Sequence, residues 1–148
     1  MSNVPVLQGS PRSARIAARA HLSALIVDDE SHVRAFTRQM LTSLGVATIW
    51  EANGGAAGMA LYAEHRPSVV LLDVNMPFMS GDVMMARLMA IDPTVAVIVM
   101  TSANKAEIVR FFQELGAIGY VLKHIPREEA MDLMADALDS LLVGDEMD

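Results

Sequence analysis

Residues 22–50 read LSALIVDDESHVRAFTRQMLTSLGVATIW, and this stretch decides the architecture. An apolar run from Leu22 to Val27, with Ser23 inside it, ends in the acidic triplet Asp28-Asp29-Glu30. Apolar residues then recur at helical spacing from Ser31 to Leu44, and Gly45 stands where a left-handed helix stop is wanted. A second run opens at Val46. Strand, helix and next strand make a βα unit, the building block of a parallel sheet.

The pattern continues along the chain. Candidate strands are 22–27, 46–50, 68–72, 95–99 and 118–122; candidate helices are 31–44, 54–64, 81–91, 104–115 and 126–142, with Gly116 as a second helix stop. Several strands are almost wholly apolar, as strands covered on both faces are. We therefore expect an α/β fold: a (βα)₅, doubly wound, five-stranded parallel sheet of flavodoxin-like order 2-1-3-4-5. One such domain occupies residues 22–142. Residues 1–21 are expected as a flexible basic arm, whose Ala/Arg run is either a short helix or a mobile segment. Residues 143–148 form an acidic tail.

Composition narrows the function classes. Hydrophobic residues make up 53% of the 148 and charged residues 20%, which suits a packed globular domain. The apolar runs are strand-length, far short of a bilayer span, and the first residues lack a signal-peptide core; no membrane insertion and a cytoplasmic location are expected. There is no cysteine, so any metal must be held by oxygen or imidazole. Net charge is −7, but residues 1–27 hold three arginines and no acid, leaving eight basic against eighteen acidic residues in the remainder. So acidic a body repels phosphate backbones, which argues against direct nucleic-acid binding and for a protein partner.

Ligands of such sheets bind outside the carboxyl ends of the strands. There the chain places Asp28-Asp29-Glu30, Asp73, Thr101-Ser102 and Lys123. Singly, each has an ordinary reading: Asp29 or Ser31 as a helix cap, Thr101 or Ser102 likewise, Lys123 as a solvated charge. Jointly they are a site. Three converging carboxylates repel one another unless a cation relieves them, and oxygen-only ligands open to water suit Mg²⁺, with Mn²⁺ as the alternative. Asp28, Asp29 and Asp73 are the candidate metal ligands. Asp73 ends the central strand and is the candidate nucleophile, giving an aspartyl phosphate; Lys123 can pair with one phosphoryl oxygen and the Thr101 hydroxyl can donate to another.

In these residues, Asp28-Asp29-Glu30, Asp73-Val74-Asn75-Met76-Pro77, Gly81, Thr101-Ser102, Tyr120 and Lys123, the chain resembles the receiver domain of bacterial two-component response regulators, in particular single-domain receivers of the chemotaxis type. The resemblance implies a signalling protein that catalyses only its own phosphorylation and dephosphorylation. It implies a sensor histidine kinase or histidine phosphotransfer protein as phosphodonor, a downstream protein target, and a homodimer on phosphorylation as a further partner state. It gives Asn75 a backbone carbonyl for Mg²⁺, and gives Asn75 and Ala103 control of the dephosphorylation rate. Thr101 and Tyr120 become switch residues that re-form the face made by the fourth helix, fifth strand and fifth helix of the repeat. One departure stands out: receivers usually carry proline directly after the lysine, whereas this chain has Lys123-His124-Ile125 before Pro126. A cis bond to a non-proline residue costs about 3–4 kcal/mol, so a trans Lys123-His124 bond is expected.

Three surface features remain. Glu129, Asp132, Asp136 and Asp139 align as an acidic stripe on the last helix, either for solubility or for a basic partner. Phe111 is expected outward and Phe112 inward, with Ile108 and Leu115. Met84, Met85 and Met89 cannot all share one face of their helix, which leaves surface exposure of some as one reading and core filling as the favoured one. Two rival functions differ in class. A phosphatase using an aspartyl phosphate needs an acid two residues after the nucleophile, where Asn75 stands; an amide cannot exchange a proton in that role. A pseudo-receiver, acting as an interaction module without phosphorylation, is the alternative, although every charged group of the site is in place.

Overall fold

The computed structural model describes residues 11–102 and 105–147. Its elements run α1 (Pro11–Arg19), β1 (Ser23–Val27), α2 (Ser31–Ser43), β2 (Thr48–Ala52), α3 (Gly55–His65), β3 (Val69–Asp73), α4 (Gly81–Ile91), β4 (Val97–Thr101), α5 (Ala106–Glu114), β5 (Gly119–Leu122) and α6 (Arg127–Met147). The five strands form one sheet, all parallel, in the order β2-β1-β3-β4-β5. This is the doubly wound, flavodoxin-like arrangement the repeats imply.

Every residue of β3 and β4 is buried, because helices cover both faces. Alternate residues feed two cores. Ala24, Ile26, Leu71 and Ile98 join Met40 and Leu41 of α2 and Met134 and Leu138 of α6 on one face. Leu25, Val27, Leu72 and Val99 join Tyr62 of α3, Met84, Met85 and Leu88 of α4, and Phe112 of α5 on the other. Met84 and Met85 are thus fully buried and Met89 packs against the same core, so core filling, not surface exposure, accounts for the methionines of this helix. Phe112 is buried with Ile108 and Leu115 against its cluster, and Phe111 is exposed, as their spacing requires.

Both glycine helix stops are where the sequence puts them. Gly45 has φ +104° and Gly116 φ +108°. After α2 the Gly45 N–H donates to Thr42 and the Val46 N–H to Leu41; after α5 the Gly116 N–H donates to Gln113 and the Ala117 N–H to Phe112. These paired bonds satisfy carbonyls that the helix ends would otherwise leave free. Val46 therefore closes a helix, and β2 begins only at Thr48. The other strands also sit later than their apolar runs suggest, so that Asp73 and Thr101 lie inside the ladder, paired with Met100 and Leu122.

Residues 11–19 form α1, the short-helix reading of the Ala/Arg run, and α1 packs against α6. Two boundaries of the last helix differ from expectation. The last helix continues to Met147, through most of the segment expected as a tail. Pro126 precedes α6, its carbonyl accepting the Ala130 N–H, so it caps the helix and is not its first residue. No peptide bond among the described residues is cis, Lys123-His124 included. His124 points outward, while Ile125 packs against the first core, which accounts for an apolar residue so close to the lysine. Among the described residues no helix is long and apolar enough to cross a membrane.

Candidate functional site

Asp28 follows β1 directly, and its N–H still bonds the Ala52 carbonyl of β2 at 3.1 Å. The backbone is therefore fixed by the sheet up to the carboxylate. Its side chain is buried; Oδ1 accepts the Glu30 N–H at 2.9 Å, turning the chain into α2. The carbonyl of Asp28 accepts from the Arg34 guanidinium at 2.7 Å, and Arg34 is held in turn by Glu51 of β2 at 3.3 Å. Arg34 and Glu51 are residues that sequence reasoning missed: nothing in their spacing signals that one turn of α2 returns to brace the acidic loop. No side chain caps α2, so Asp29 and Ser31 are free of that ordinary role.

Asp73 is the last residue of β3 and is buried. Its Oδ1 accepts the Asn75 N–H at 3.2 Å and the Lys123 ammonium at 3.0 Å. The loop that follows is tight: Met76 is buried in the second core, and the Gly81 N–H bonds the Val74 carbonyl at 2.8 Å. A Cβ on Gly81 would lie 2.7 Å from both the Asp73 carbonyl oxygen and the Val74 Cα, so only glycine lets α4 start this close. Phe78, at the loop, is fully exposed with φ +69°.

Lys123 comes down from the end of β5, its N–H bonding the Thr101 carbonyl at 2.9 Å. Its Nζ lies 2.9 Å from Asp28 Oδ2 and 3.0 Å from Asp73 Oδ1, with Glu30 Oε1 at 3.8 Å. Burial alone would lower the ammonium's pKa, but the bonds to Asp28 and Asp73 outweigh it and hold it above its usual range. Asp73 behaves in the opposite sense. Burial raises its carboxyl most; the Lys123 bond pulls it down, the Asp28 charge pushes it up again, and it stands at about 6.

The arrangement leaves one atom unsatisfied. Asp73 Oδ2 is the only buried side-chain oxygen or nitrogen among the described residues without a hydrogen-bond partner. Oxygens of Asp28, Asp29 and Asp73 lie within 4.8 Å of one another, Asp29 on the exposed side. A buried, partnerless carboxylate oxygen in a cluster of acids fits a hard divalent cation, and hard cations take oxygen ligands. It also leaves a lone pair available for chemistry.

Thr101 is buried at the end of β4 and hydrogen-bonded to Tyr120, a half-buried residue of β5. Burial pushes the Tyr120 phenol above its ordinary range, and the Thr101 bond opposes this. Asn75 and Ser102 are exposed at the rim. Ala103, the other residue expected to govern dephosphorylation, lies outside the described residues. The structure thus gathers Asp28, Asp29, Asp73 and Lys123, and sets Thr101 at the end of β4, with its hydrogen-bond partner Tyr120 further back in β5, level with Val99.

The family model described as the response regulator receiver domain matches residues 24–135. Sporulation initiation phosphotransferase F of Bacillus subtilis is 32% identical over 108 residues, 73% of this chain and 86% of that protein. Chemotaxis protein CheY of Treponema pallidum is 30% identical over 116 residues, 77% of this chain and 81% of that one. Among solved structures, a chain of the CheX–CheY–BeF3–Mg²⁺ complex from Borrelia burgdorferi aligns with a TM-score of 0.73 at 26% identity, covering 78% of this chain and 87% of that chain. The receiver domain of NarL from Mycobacterium tuberculosis aligns at 0.70 with 28% identity, covering 80% and 96%.

Proposed function

The chain belongs to the response regulator receiver family, and from that membership we propose that it is a phospho-switch whose acceptor is Asp73, loaded by a sensor histidine kinase or a histidine phosphotransfer protein and read by a downstream protein. The observation that carries this reading is Asp73 Oδ2, buried yet unpartnered beside Lys123 and two further carboxylates. A nucleophile needs a free lone pair facing the reaction space, and a carboxylate kept there for structure alone would be hydrogen-bonded on both oxygens.

Asp28, Asp29 and Asp73, with the Asn75 carbonyl, would hold a Mg²⁺ ion, Mn²⁺ being the alternative. Such an ion offsets the repulsion among the acids and the charge on the transferring phosphoryl oxygens. A carboxylate oxygen of Asp73 forms the P–O bond while the P–N bond to the donor imidazole breaks, its electron pair staying with the ring. Lys123 already bridges Asp28 and Asp73, and its ammonium is placed to pair with a phosphoryl oxygen once one arrives. Hydrolysis of the acyl phosphate follows at the same site, tuned by Asn75 and Ala103.

The Thr101–Tyr120 bond supports the switch. A phosphoryl oxygen on Asp73 offers the Thr101 hydroxyl a charged acceptor in competition with Tyr120. This differential contact biases the face made by α5, β5 and α6 toward a second arrangement. Exposed Phe111 lies on α5, so that face includes an apolar contact for a target or a second copy.

Intact mass after incubation with Mg²⁺ and a small acyl phosphate tests the reading. One labile phosphoryl group is expected on the wild-type chain, absent with EDTA and absent from Asp73→Asn. The Borrelia burgdorferi complex, whose name includes both BeF3 and Mg²⁺, suggests the second arm. If neither the acyl phosphate nor beryllium fluoride with Mg²⁺ alters the chain, the pseudo-receiver reading replaces this one.

A further inference from the structure

The last residue of helix α1 is firmly held. Arg19 is buried, and its guanidinium spends three donors: Nε and Nη2 grip the two carboxylate oxygens of Asp139 on α6 at 2.9 and 3.0 Å, and Nη1 reaches the Leu44 carbonyl at 3.0 Å. Beside it, Gly45 has no Cβ; one would stand 2.3 Å from the Ile16 carbonyl oxygen. This seat is specific for arginine in a helical segment, since a lysine cannot make the planar fork.

The rest of α1 is poorly engaged. Arg12 through Arg15 and Ala17 are exposed, and only Ile16 and Ala18 are half-buried. Glu128 and Asp132 on the first turns of α6 face the same cavity as Arg12 and Arg15, a space of about 740 Å³. Among the described residues neither arginine forms an ion pair with them, and both acids are exposed. A nine-residue helix is marginal in water by itself, so α1 leans on the Arg19 anchor, while among the described residues the charge pairs open to Arg12 and Arg15 go unmade.

We infer that the face of α6 from Glu128 to Asp139 is a docking surface for an arginine-bearing helical segment of a protein partner, and that α1 is its displaceable intramolecular occupant. The acidic stripe of the last helix then has a basic ligand in the chain itself, but an incomplete one. A partner that grips Asp139 and also reaches Glu128 and Asp132 gains contacts α1 lacks, and only such a difference can shift the equilibrium between seated and released α1. This inference is independent of phosphorylation at Asp73.

Hydrogen exchange on the full chain tests it. Amides of α1 are expected to exchange through local opening, far faster than those of β1, β3 and β4. Arg19→Ala and Arg19→Lys should each speed α1 exchange by about ten- to a hundredfold while leaving the strands unchanged. A labelled peptide of residues 11–21, added to full-length Arg19→Ala, should bind saturably, weaken with salt, and fail against Arg19→Ala combined with Asp139→Asn. The inference is overturned if wild-type α1 exchanges only with global unfolding, or if the peptide does not bind. A wild-type dimer that exchanges α1 between copies would also overturn it, by making a second copy the occupant.

Discussion

A carboxylate that must be ionised to react, yet lies buried between a second acid and a lysine, carries an energetic penalty, and in this chain the penalty falls on Asp73. Its carboxyl titrates at about 6, above its ordinary 3.8. The folded state therefore holds that proton more tightly than the unfolded chain does. Its contribution to stability is most favourable below about pH 4, declines between about pH 4 and 6, and stays unfavourable above. Asp73→Asn removes the buried charge and is expected to stabilise the metal-free protein by about 1–3 kcal/mol near pH 7.5, with the gap closing near pH 4.5. Urea denaturation in EDTA at the two pH values checks this. Gly81→Ala should act in the other direction, since its Cβ would collide with the Asp73 carbonyl and Val74. A loss of about 1–3 kcal/mol is expected by the same measurement, together with slower phosphorylation, because the loop bearing Asn75 must move. At this scale much of the site is legible in the sequence. Asp28, Asp29, Asp73 and Lys123 stand at strand ends, and the topology brings strand ends together whatever the rotamers. Arg34, Glu51 and the orphaned Oδ2 of Asp73 are not legible, since they depend on which way side chains turn once neighbouring elements are packed.

At the scale of elements, the apolar runs locate each strand but not its ends. Val46 is consumed in closing α2, and Asp73 and Thr101 are polar yet belong to the ladder, because backbone pairing continues to where the neighbouring strand stops. Periodicity does settle the faces of α5. Phe112 is 2% exposed and Phe111 47%, with their rings edge to face at 5.3 Å. Phe112→Ala is expected to lose about 3–5 kcal/mol, and Phe111→Ala well under that, so that thermal or urea melts of the two variants separate core from surface. Gly45→Ala combines a left-handed φ with a clash against α1 and should cost about 1–3 kcal/mol. The packing of α1 was not legible: its anchor pairs residues 120 positions apart, and no local pattern announces such a contact.

For the molecule as a whole, the doubly wound sheet puts its crevice where β1 and β3 lie side by side, and Asp28 and Asp73 come from those two strands. Lys123 and Thr101 arrive from the next two strands outward, so four segments of the chain meet at one edge, while the helices that bear the proposed switch face lie alongside. An acidic body of this kind should meet its protein partners through basic groups, with affinities that fall as salt rises. Asp73 alone is expected to receive the phosphoryl group, and the decisive experiment is to locate that group. The chain is loaded with an acyl phosphate and Mg²⁺, reduced with borohydride, which converts an aspartyl phosphate to homoserine, and mapped by peptide mass spectrometry. Homoserine at position 73, dependent on Mg²⁺ and found at no other acid, is the expected result. Reduction at position 28 or 29 in place of 73, or a phosphoryl group on a histidine, would contradict it.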